Sequence, residues 1–222
     1  MRHLYALQEL TDGTFVKNNK TYTPFKMDIN TYEQQFQAIA DGQMSLPPYD
    51  NEAYLNYVKL NNSRLKRWYK IGKITPELTD EIKAINSPQE WLLITEPWCG
   101  DAAHTQPFIA KLAALNPMIT LTVQNRDAPN SEIENYLTNG GKSIPKLVVR
   151  DATGSDLLSW GPRPKAAQAI HLSQINSDTL SPEEKKVELQ NWYNKDKGAG
   201  MQAELLSLFE EKLVATKNRI YN

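Results

Sequence analysis

The sequence predicts a mixed α/β domain with additional helices at both ends. Residues 91–95 form a short continuous apolar run, which is typical of a central strand covered on both faces. Residues 119–124 alternate between apolar and polar side chains, which is the period of a strand with one buried face. Between these strands Phe108, Leu112 and Leu115 lie at helical spacing, so one stripe of a helix faces the sheet.

The N-terminal region is predicted to be mainly helical. Residues 1–28 lack sustained periodicity and predict a turn or an extended arm. A helix over residues 30–40 and a longer one over residues 51–70 follow. Pro47 and Pro48 separate them, because consecutive prolines oppose helix continuation.

The following segments supply the rest of the predicted core. Thr75 as N-cap and Pro76 at the first helical position begin a helix that ends near residue 85. The order is then strand, helix, strand, helix, strand, strand, helix, which gives a mixed sheet with helices on both faces. Pro107 interrupts the first of these helices and should kink it. The predicted strands are 91–95, 119–125, 144–149 and 157–160, and the later helices are 131–137 and 164–172.

Two further helices are predicted at the C-terminal end. Residues 181–184, Ser-Pro-Glu-Glu, are typical of an N-cap followed by a proline and acids in the first turn. Residues 198–200, Gly-Ala-Gly, divide the first helix from the second. Their apolar positions are Leu189, Trp192 and Tyr193 in the first and Met201, Leu205, Leu208, Phe209 and Leu213 in the second.

Size and charge limit the classes of partner. The chain has 222 residues, which allows one core of roughly 110 residues and about as much again in added elements. The 25 Lys and Arg against 26 Asp and Glu leave a net charge of -1, so no overall field attracts nucleic acid or an anionic membrane. No apolar stretch is long enough for a signal sequence or a membrane helix. We therefore expect a soluble cytoplasmic protein whose partners bind at a local site.

Cys99 is the only cysteine, and it lies between the first core strand and the helix that follows. One cysteine cannot form an internal disulfide, which leaves monothiol chemistry, mixed disulfides with another molecule, or binding without redox turnover. A helix N-terminus favours thiolate through its free N–H groups and its dipole, whereas the nearby negative charge of Asp101 disfavours it. The alternatives are an inert core residue for Cys99 and a plain first-turn acid for Asp101.

The other polar groups predict neither a metal site nor a cofactor. One cysteine and three scattered histidines show no metal-ligand spacing. His104 lies five residues after Cys99, which is poor helical spacing for facing the sulfur, and we predict that it is solvated or caps the helix. The basic cluster over residues 64–67 is predicted to be a solvated helix face.

Four features in the proper order resemble the thioredoxin superfamily over about residues 88–175. They are Trp98-Cys99-Gly100 after a strand, Pro107 eight positions after the cysteine, Ile144-Pro145 before a hairpin, and Gly161 closing that hairpin. The resemblance implies a thioredoxin-like α/β fold, here with additional N- and C-terminal helices. We therefore divide the chain into an N-terminal arm and helical extension (1–87), a thioredoxin-like core (88–175) and a C-terminal helical extension (176–222).

Longer stretches also resemble a bacterial subfamily of thioredoxin family proteins with a single-cysteine WCGDA motif. Three positions depart from the general thioredoxin pattern. Ala102 replaces the second, resolving cysteine, and Asp101 replaces the usual proline between the two. Leu93 occupies the position of a buried aspartate that assists proton transfer. These changes are coherent, because that acid mainly serves the second sulfur, and they argue against general dithiol reductase activity.

The resemblance further implies a set of site residues around Cys99, the expected nucleophile. The helix start and flanking side chains would tune the thiolate, and the backbone of the cis-proline loop would pair with an extended substrate. The two arginines in this set have structural ion pairs as an alternative role, and the two tryptophans have packing. The thiol-tuning positions are Trp98, Gly100, Asp101, Arg126 and Arg163, and the substrate-binding positions are Ile144, Pro145, Trp160 and Gly161.

These features together predict a monothiol oxidoreductase. Its partner would be a protein or a low-molecular-weight thiol or disulfide that resolves the mixed disulfide. Oxidation of Cys99 by peroxide to a sulfenic acid is the other redox branch. The competing hypothesis is a redox-inactive binding or scaffold module for a peptide or protein, which the absence of the resolving cysteine favours. A homodimer joined through Cys99 is a third possibility.

Overall fold

The computed structural model describes residues 8–9, 15–17, 20–22, 26–45, 47–175, 179 and 181–220. From residue 29 onward the helices and strands follow the predicted order, except at residues 131–137. The strands are β1 (Gln8–Glu9), β2 (Phe15–Lys17), β3 (Lys20–Tyr22), β4 (Met27–Asp28), β5 (Gln89–Thr95), β6 (Ile119–Asn125), β7 (Lys146–Asp151) and β8 (Asp156–Trp160). The helices are α1 (Ile29–Ala40), α2 (Glu52–Ile71), α3 (Pro76–Lys83), α4 (Gly100–Ala113), α5 (Lys165–Ile175), α6 (Pro182–Asp196) and α7 (Ala199–Ile220).

The central sheet has five strands in the order β4-β6-β5-β7-β8. β5 runs parallel to β6, with Leu93 opposite Val123, and antiparallel to β7, with Leu93 opposite Leu147. The mixed α/β fold class is therefore confirmed. β4 joins this sheet from the N-terminal region, and β1 to β3 form a separate small sheet; the sequence predicted neither. Two- and three-residue strands carry too little periodicity to detect.

Both faces of β5 are covered, because its side chains alternate between two apolar clusters. Trp91 and Leu93 are fully buried in the larger cluster with Phe108 of α4. Leu92 and Ile94 belong to a smaller cluster on the opposite face, which also contains Cys99 and Ala102. The site therefore lies at the carboxyl end of a strand that is held from both sides.

Two local predictions differ from the structure. α4 continues from Gly100 to Ala113 through Pro107, with no interruption at the proline. The segment predicted as a helix over 131–137 forms only a single 3-10 turn, Glu132–Asn135. None of the helices in the described ranges has the length and apolar character needed to cross a membrane.

The C-terminal helices pack on the core. Phe209 of α7 stacks on Trp91, with ring centroids 5.7 Å apart. Glu204 of α7 accepts hydrogen bonds from the Trp160 indole N–H at 2.8 Å and from the Lys165 backbone N–H at 2.6 Å. α7 thereby joins the end of β8 to the start of α5, next to the loop that approaches the thiol.

Candidate functional site

Cys99 is the N-cap residue of α4. Its Sγ accepts the Ala102 N–H at 3.5 Å, and its S–H donates to the Ile144 carbonyl at 3.4 Å. The residue is only 6% exposed and lies at the floor of a groove of about 350 Å³. The groove is lined by Trp98, Cys99, Gly100, Asp101, Arg126, Lys142, Ser143, Ile144 and Arg163.

The surroundings of Cys99 favour the neutral thiol. Burial, followed by the charge of Asp101, raises the pKa of Cys99 to about 12. The Ala102 N–H and the Arg163 guanidinium act in the opposite direction but do not balance these two effects. The thiol is therefore protonated at neutral pH, and the helix start alone does not activate it.

Asp101 is buried under α6 and fixed from two sides. The Tyr193 hydroxyl donates to its Oδ1 at 2.8 Å. The Arg163 Nε lies 2.7 Å from Oδ2 of Asp101, and the two side chains form an ion pair. The Nε–H bond of Arg163 does not point directly at this oxygen. Burial raises the pKa of Asp101, and these two partners counteract that rise. Arg163 is further positioned by Gln168, whose Oε1 accepts from Nη1 at 3.0 Å.

His104 is buried, so the prediction that it is solvated or caps the helix was wrong. Its Nδ1 accepts the Trp68 indole N–H at 2.8 Å, and its Nε2 lies 2.7 Å from Gln190 Oε1. Because indole only donates, His104 is neutral with its proton on Nε2. Its ring stacks on Tyr193 at 4.5 Å. Helical spacing directs His104 away from the sulfur, as expected, but α2 and α6 cover the face that it occupies.

Acidification should weaken the fold through His104. Burial, with added effects of Arg64 and Arg67, lowers the pKa of His104 from 6.5 to about 4. The unfolded chain therefore takes up a proton near pH 6.5, whereas the native state does so only near pH 4. The contribution of His104 to the free energy of unfolding should therefore decrease by about 3 kcal/mol as the pH falls across this window. Protonation of the buried Glu96 carboxyl, whose pKa is raised, stabilises the native state over the same range and acts in the opposite direction. Urea unfolding of wild type and His104→Gln at pH 7 and pH 4.5 measures this contribution as the difference between the two proteins.

Two variants identify the group responsible. The change in the free energy of unfolding from pH 7 to pH 4.5 should be more favourable in His104→Gln than in wild type by about 3 kcal/mol, because the variant has no ring to protonate. His171→Gln, at a half-buried histidine of α5, should change it much less. The same pH dependence in His104→Gln and in wild type would show that protonation of His104 does not destabilise the fold.

Trp98 and Arg126 form one wall of the thiol groove. The Arg126 guanidinium lies over the Trp98 ring, 4.6 Å from its centroid, and Tyr54 meets the ring edge-on. Arg126 also forms two hydrogen bonds to Asp127, both at 2.8 Å. The structure thus brings Trp98 and Arg126 next to Cys99. The positive charge of Arg126 is paired with the carboxylate of Asp127.

The Ile144-Pro145 peptide bond is cis, and the loop that contains it faces Cys99 across the groove. Gly161 supports this loop from behind. A Cβ on Gly161 would lie 2.2 Å from the Pro145 carbonyl oxygen, and its φ of 115° disfavours any side chain. Lys146 donates to the Gly161 carbonyl at 2.9 Å. Gly161 therefore permits the close approach of two chain segments and does not line the groove.

The structure does not bring Trp160 to the groove. Its side chain is buried, and its indole N–H is directed to Glu204 of α7. The packing alternative for this tryptophan therefore describes it best. The sequence could not predict that the Trp160 indole N–H points to Glu204, because Glu204 lies on α7, whose position is set only by tertiary packing.

Glu96 is a buried acid on the loop that carries the thiol. It accepts hydrogen bonds from the Tyr49 hydroxyl and the Asp127 N–H, both at 3.1 Å. Burial raises the pKa of Glu96 to about 7. Its own carbonyl accepts the Cys99 N–H at 3.0 Å. A group that titrates near neutral pH therefore lies three residues before the thiol, a position that the sequence interpretation passed over.

Three further residues complete the site from outside the predicted core. Tyr193 and Gln190 of α6 contact Asp101 and His104, and Arg64 of α2 is half-buried beside Gly100. The sequence marked Tyr193 only as an apolar helix position and Arg64 only as part of a solvated face. Among the described residues, no group of His, Cys, Asp and Glu side chains is arranged to hold a metal ion.

Comparison with known proteins identifies the family and the fold. A family model described as "Thioredoxin" matches residues 48–195. No curated protein matches the chain. A solved structure of a protein of unknown function from Pseudomonas aeruginosa, PA1234, is 16% identical and shares the fold, with a TM-score of 0.50 over 83% of this chain and 98% of the other. An HIV epitope-scaffold is also 16% identical, covering 83% of this chain and 99% of that chain, with a TM-score of 0.49.

Proposed function

Because this chain belongs to the thioredoxin family, we propose that it is a monothiol thiol-disulfide exchange protein. Cys99 would form a mixed disulfide with a protein or a low-molecular-weight thiol. The observation that carries the proposal is the location of its Sγ, at the start of α4 and opposite the Ile144 carbonyl at the floor of a groove. Ala102 cannot resolve such a disulfide, so a second, external thiol must do so.

The resting thiol must first lose its proton. The S–H now donates to the Ile144 carbonyl, a bond that favours the neutral form. An extended substrate whose backbone N–H donates to the same carbonyl would compete with the S–H. Substrate binding would thereby remove one of the interactions that keep the thiol protonated, so the thiol reacts mainly when a substrate occupies the groove.

The substrate disulfide supplies both the sulfur that is attacked and the thiolate that leaves. The Cys99 proton passes to solvent, and the thiolate attacks one sulfur of the substrate disulfide. A bond forms between Sγ and that sulfur, and the other sulfur leaves as a thiolate. An external thiolate then attacks the mixed disulfide and releases Cys99. We propose the cytoplasm as the compartment, since small thiols are plentiful there.

The test compares wild type, Cys99→Ser and Ala102→Cys with an extended peptide whose cysteine forms a disulfide with a chromogenic aromatic thiol. Wild type should release one thiol equivalent and retain a stable adduct detected by mass spectrometry. Cys99→Ser should release none. Ala102→Cys should release two, because the introduced thiol lies at the resolving position and displaces the adduct. Absence of any adduct in folded wild type, with full reaction after denaturation, would contradict the proposal.

A redox-inactive binding module is the second candidate. The burial of Cys99 and the charge of Asp101 next to it favour this candidate, because both oppose thiolate formation. Such a module would keep its partners in Cys99→Ser, whereas an exchange protein would lose every covalent adduct. Partners captured by wild type and by Cys99→Ser, each with and without reductant, distinguish the two functions.

A further inference from the structure

A second cleft lies next to the thiol groove, between α2, α5 and α6. Its volume is about 590 Å³, within the usual range for small-molecule sites. It shares a border with the thiol groove, formed by Trp98, Gly100, Asp101 and Arg163. Most of its other lining residues belong to helices outside the predicted 88–175 core. The cleft is therefore a product of the added helices.

The walls of this cleft expose large apolar side chains. Nine such side chains are markedly exposed in the described part of the chain, and four of them line the cleft. Their exposed fractions range from 40% to 59%. Exposed apolar side chains concentrated in one concave surface indicate a binding site rather than ordinary surface. The four are Tyr57, Leu60, Ile175 and Val187.

The floor of the cleft carries hydrogen-bond donors and positive charge. A Cβ on Gly100 would lie 3.7 Å from Gln190 Nε2 and 3.8 Å from Arg64 Nη1, so both donors are close to this backbone. The Gln190 Oε1 is engaged by His104, which leaves the amide N–H groups for a ligand. Arg64 Nη1 donates to Asn61 Oδ1 at 2.9 Å, so a ligand would meet the remaining N–H groups of the guanidinium. The acid in the lining, Asp101, is already paired with Arg163. A ligand that meets this floor should therefore carry an acceptor with negative charge.

We propose that this cleft binds a medium-chain carboxylate. Its carboxylate would lie over Gly100 and accept from Arg64 and Gln190, and its apolar chain would lie between the exposed side chains of α2 and α6. Arginine suits this task, because its planar guanidinium donates to both oxygens of a carboxylate. The proposal does not depend on the chemistry of Cys99, and its test has no thiol readout.

Calorimetric titration of the full chain with dodecanoate, below its micellar concentration, tests the proposal. We expect saturable binding with one site. Arg64→Gln should weaken it at least tenfold, because the variant loses the charged donor to the carboxylate. Val187→Asp, at the exposed wall, should weaken it at least as much by placing a negative charge along the chain. Lys66→Gln, an exposed cation on the same helix that does not line the cleft, should leave binding unchanged.

Two probes separate recognition of the head group from apolar adsorption. Dodecyltrimethylammonium has the same chain and the opposite charge, and acetate has the head group without the chain. Both should bind at least tenfold more weakly than dodecanoate. Equal binding of the ammonium probe, unchanged affinity in a folded Arg64→Gln protein, or no saturable dodecanoate binding would each overturn the proposal. Circular dichroism of each variant verifies its fold.

Discussion

Asp101→Asn should lower the pKa of Cys99 by at least about one unit and speed its alkylation at neutral pH about tenfold or more. Two effects act in the same direction. The substitution removes a negative charge that raises the pKa of Cys99, and it leaves the positive charge of Arg163 without its ion-pair partner. The rate of alkylation by iodoacetamide as a function of pH gives the pKa directly, because the chain has one cysteine.

Asp80→Asn is the matched control for this experiment. Asp80 is an exposed acid on α3, where its loss changes the net charge equally without altering the site. Its alkylation profile should match that of wild type. If Asp101→Asn also reacted like wild type, burial alone would account for the low reactivity of Cys99, and Asp101 would be only a packing partner of Tyr193.

Gly161→Ala should destabilise the fold by about 3 kcal/mol or more. The added methyl group would meet the Pro145 carbonyl oxygen at 2.2 Å, and the positive φ of Gly161 adds strain. Both neighbouring segments are backbone, so neither can move aside as a flexible side chain would. The midpoint and slope of urea unfolding measure the loss.

Gly154→Ala separates strain from collision. Gly154 has a φ of 82° at the other end of the same hairpin, and a Cβ there would meet nothing within 4 Å. It should therefore cost about 1 kcal/mol, from backbone strain alone. Equal losses in the two variants would show that the loop around Pro145 moves to accept a side chain at Gly161.

The sequence predicted those parts of the site that depend on neighbours along the chain. The apolar run of β5 and the stripe of Phe108 and Leu112 were sufficient to predict the strand and helix that flank Cys99. The thiol position at the start of α4 followed from these two elements. The family resemblance added the loop at Ile144 and Pro145, which the structure places across the groove from Cys99.

Contacts between distant segments escaped prediction. Asp101 reaches Tyr193 across 92 residues, and His104 reaches Gln190 across 86. The sequence pattern around a helical tyrosine such as Tyr193 is the same whether its hydroxyl contacts water or a buried carboxylate. Periodicity predicts which face of a helix is buried, but it cannot identify the partner that covers that face.

Asp101 is covered by a helix that is synthesised late. Tyr193 is synthesised 92 residues after Asp101, which at about 5–20 residues per second is a delay on the order of 5–20 s. A nascent chain that ends before α6 has Cys99 without the helix that buries its acidic neighbour. The Tyr193 hydroxyl therefore reaches the carboxylate of Asp101 only after all the residues that line the thiol groove have been synthesised, so the final electrostatic surroundings of Cys99 depend on α6.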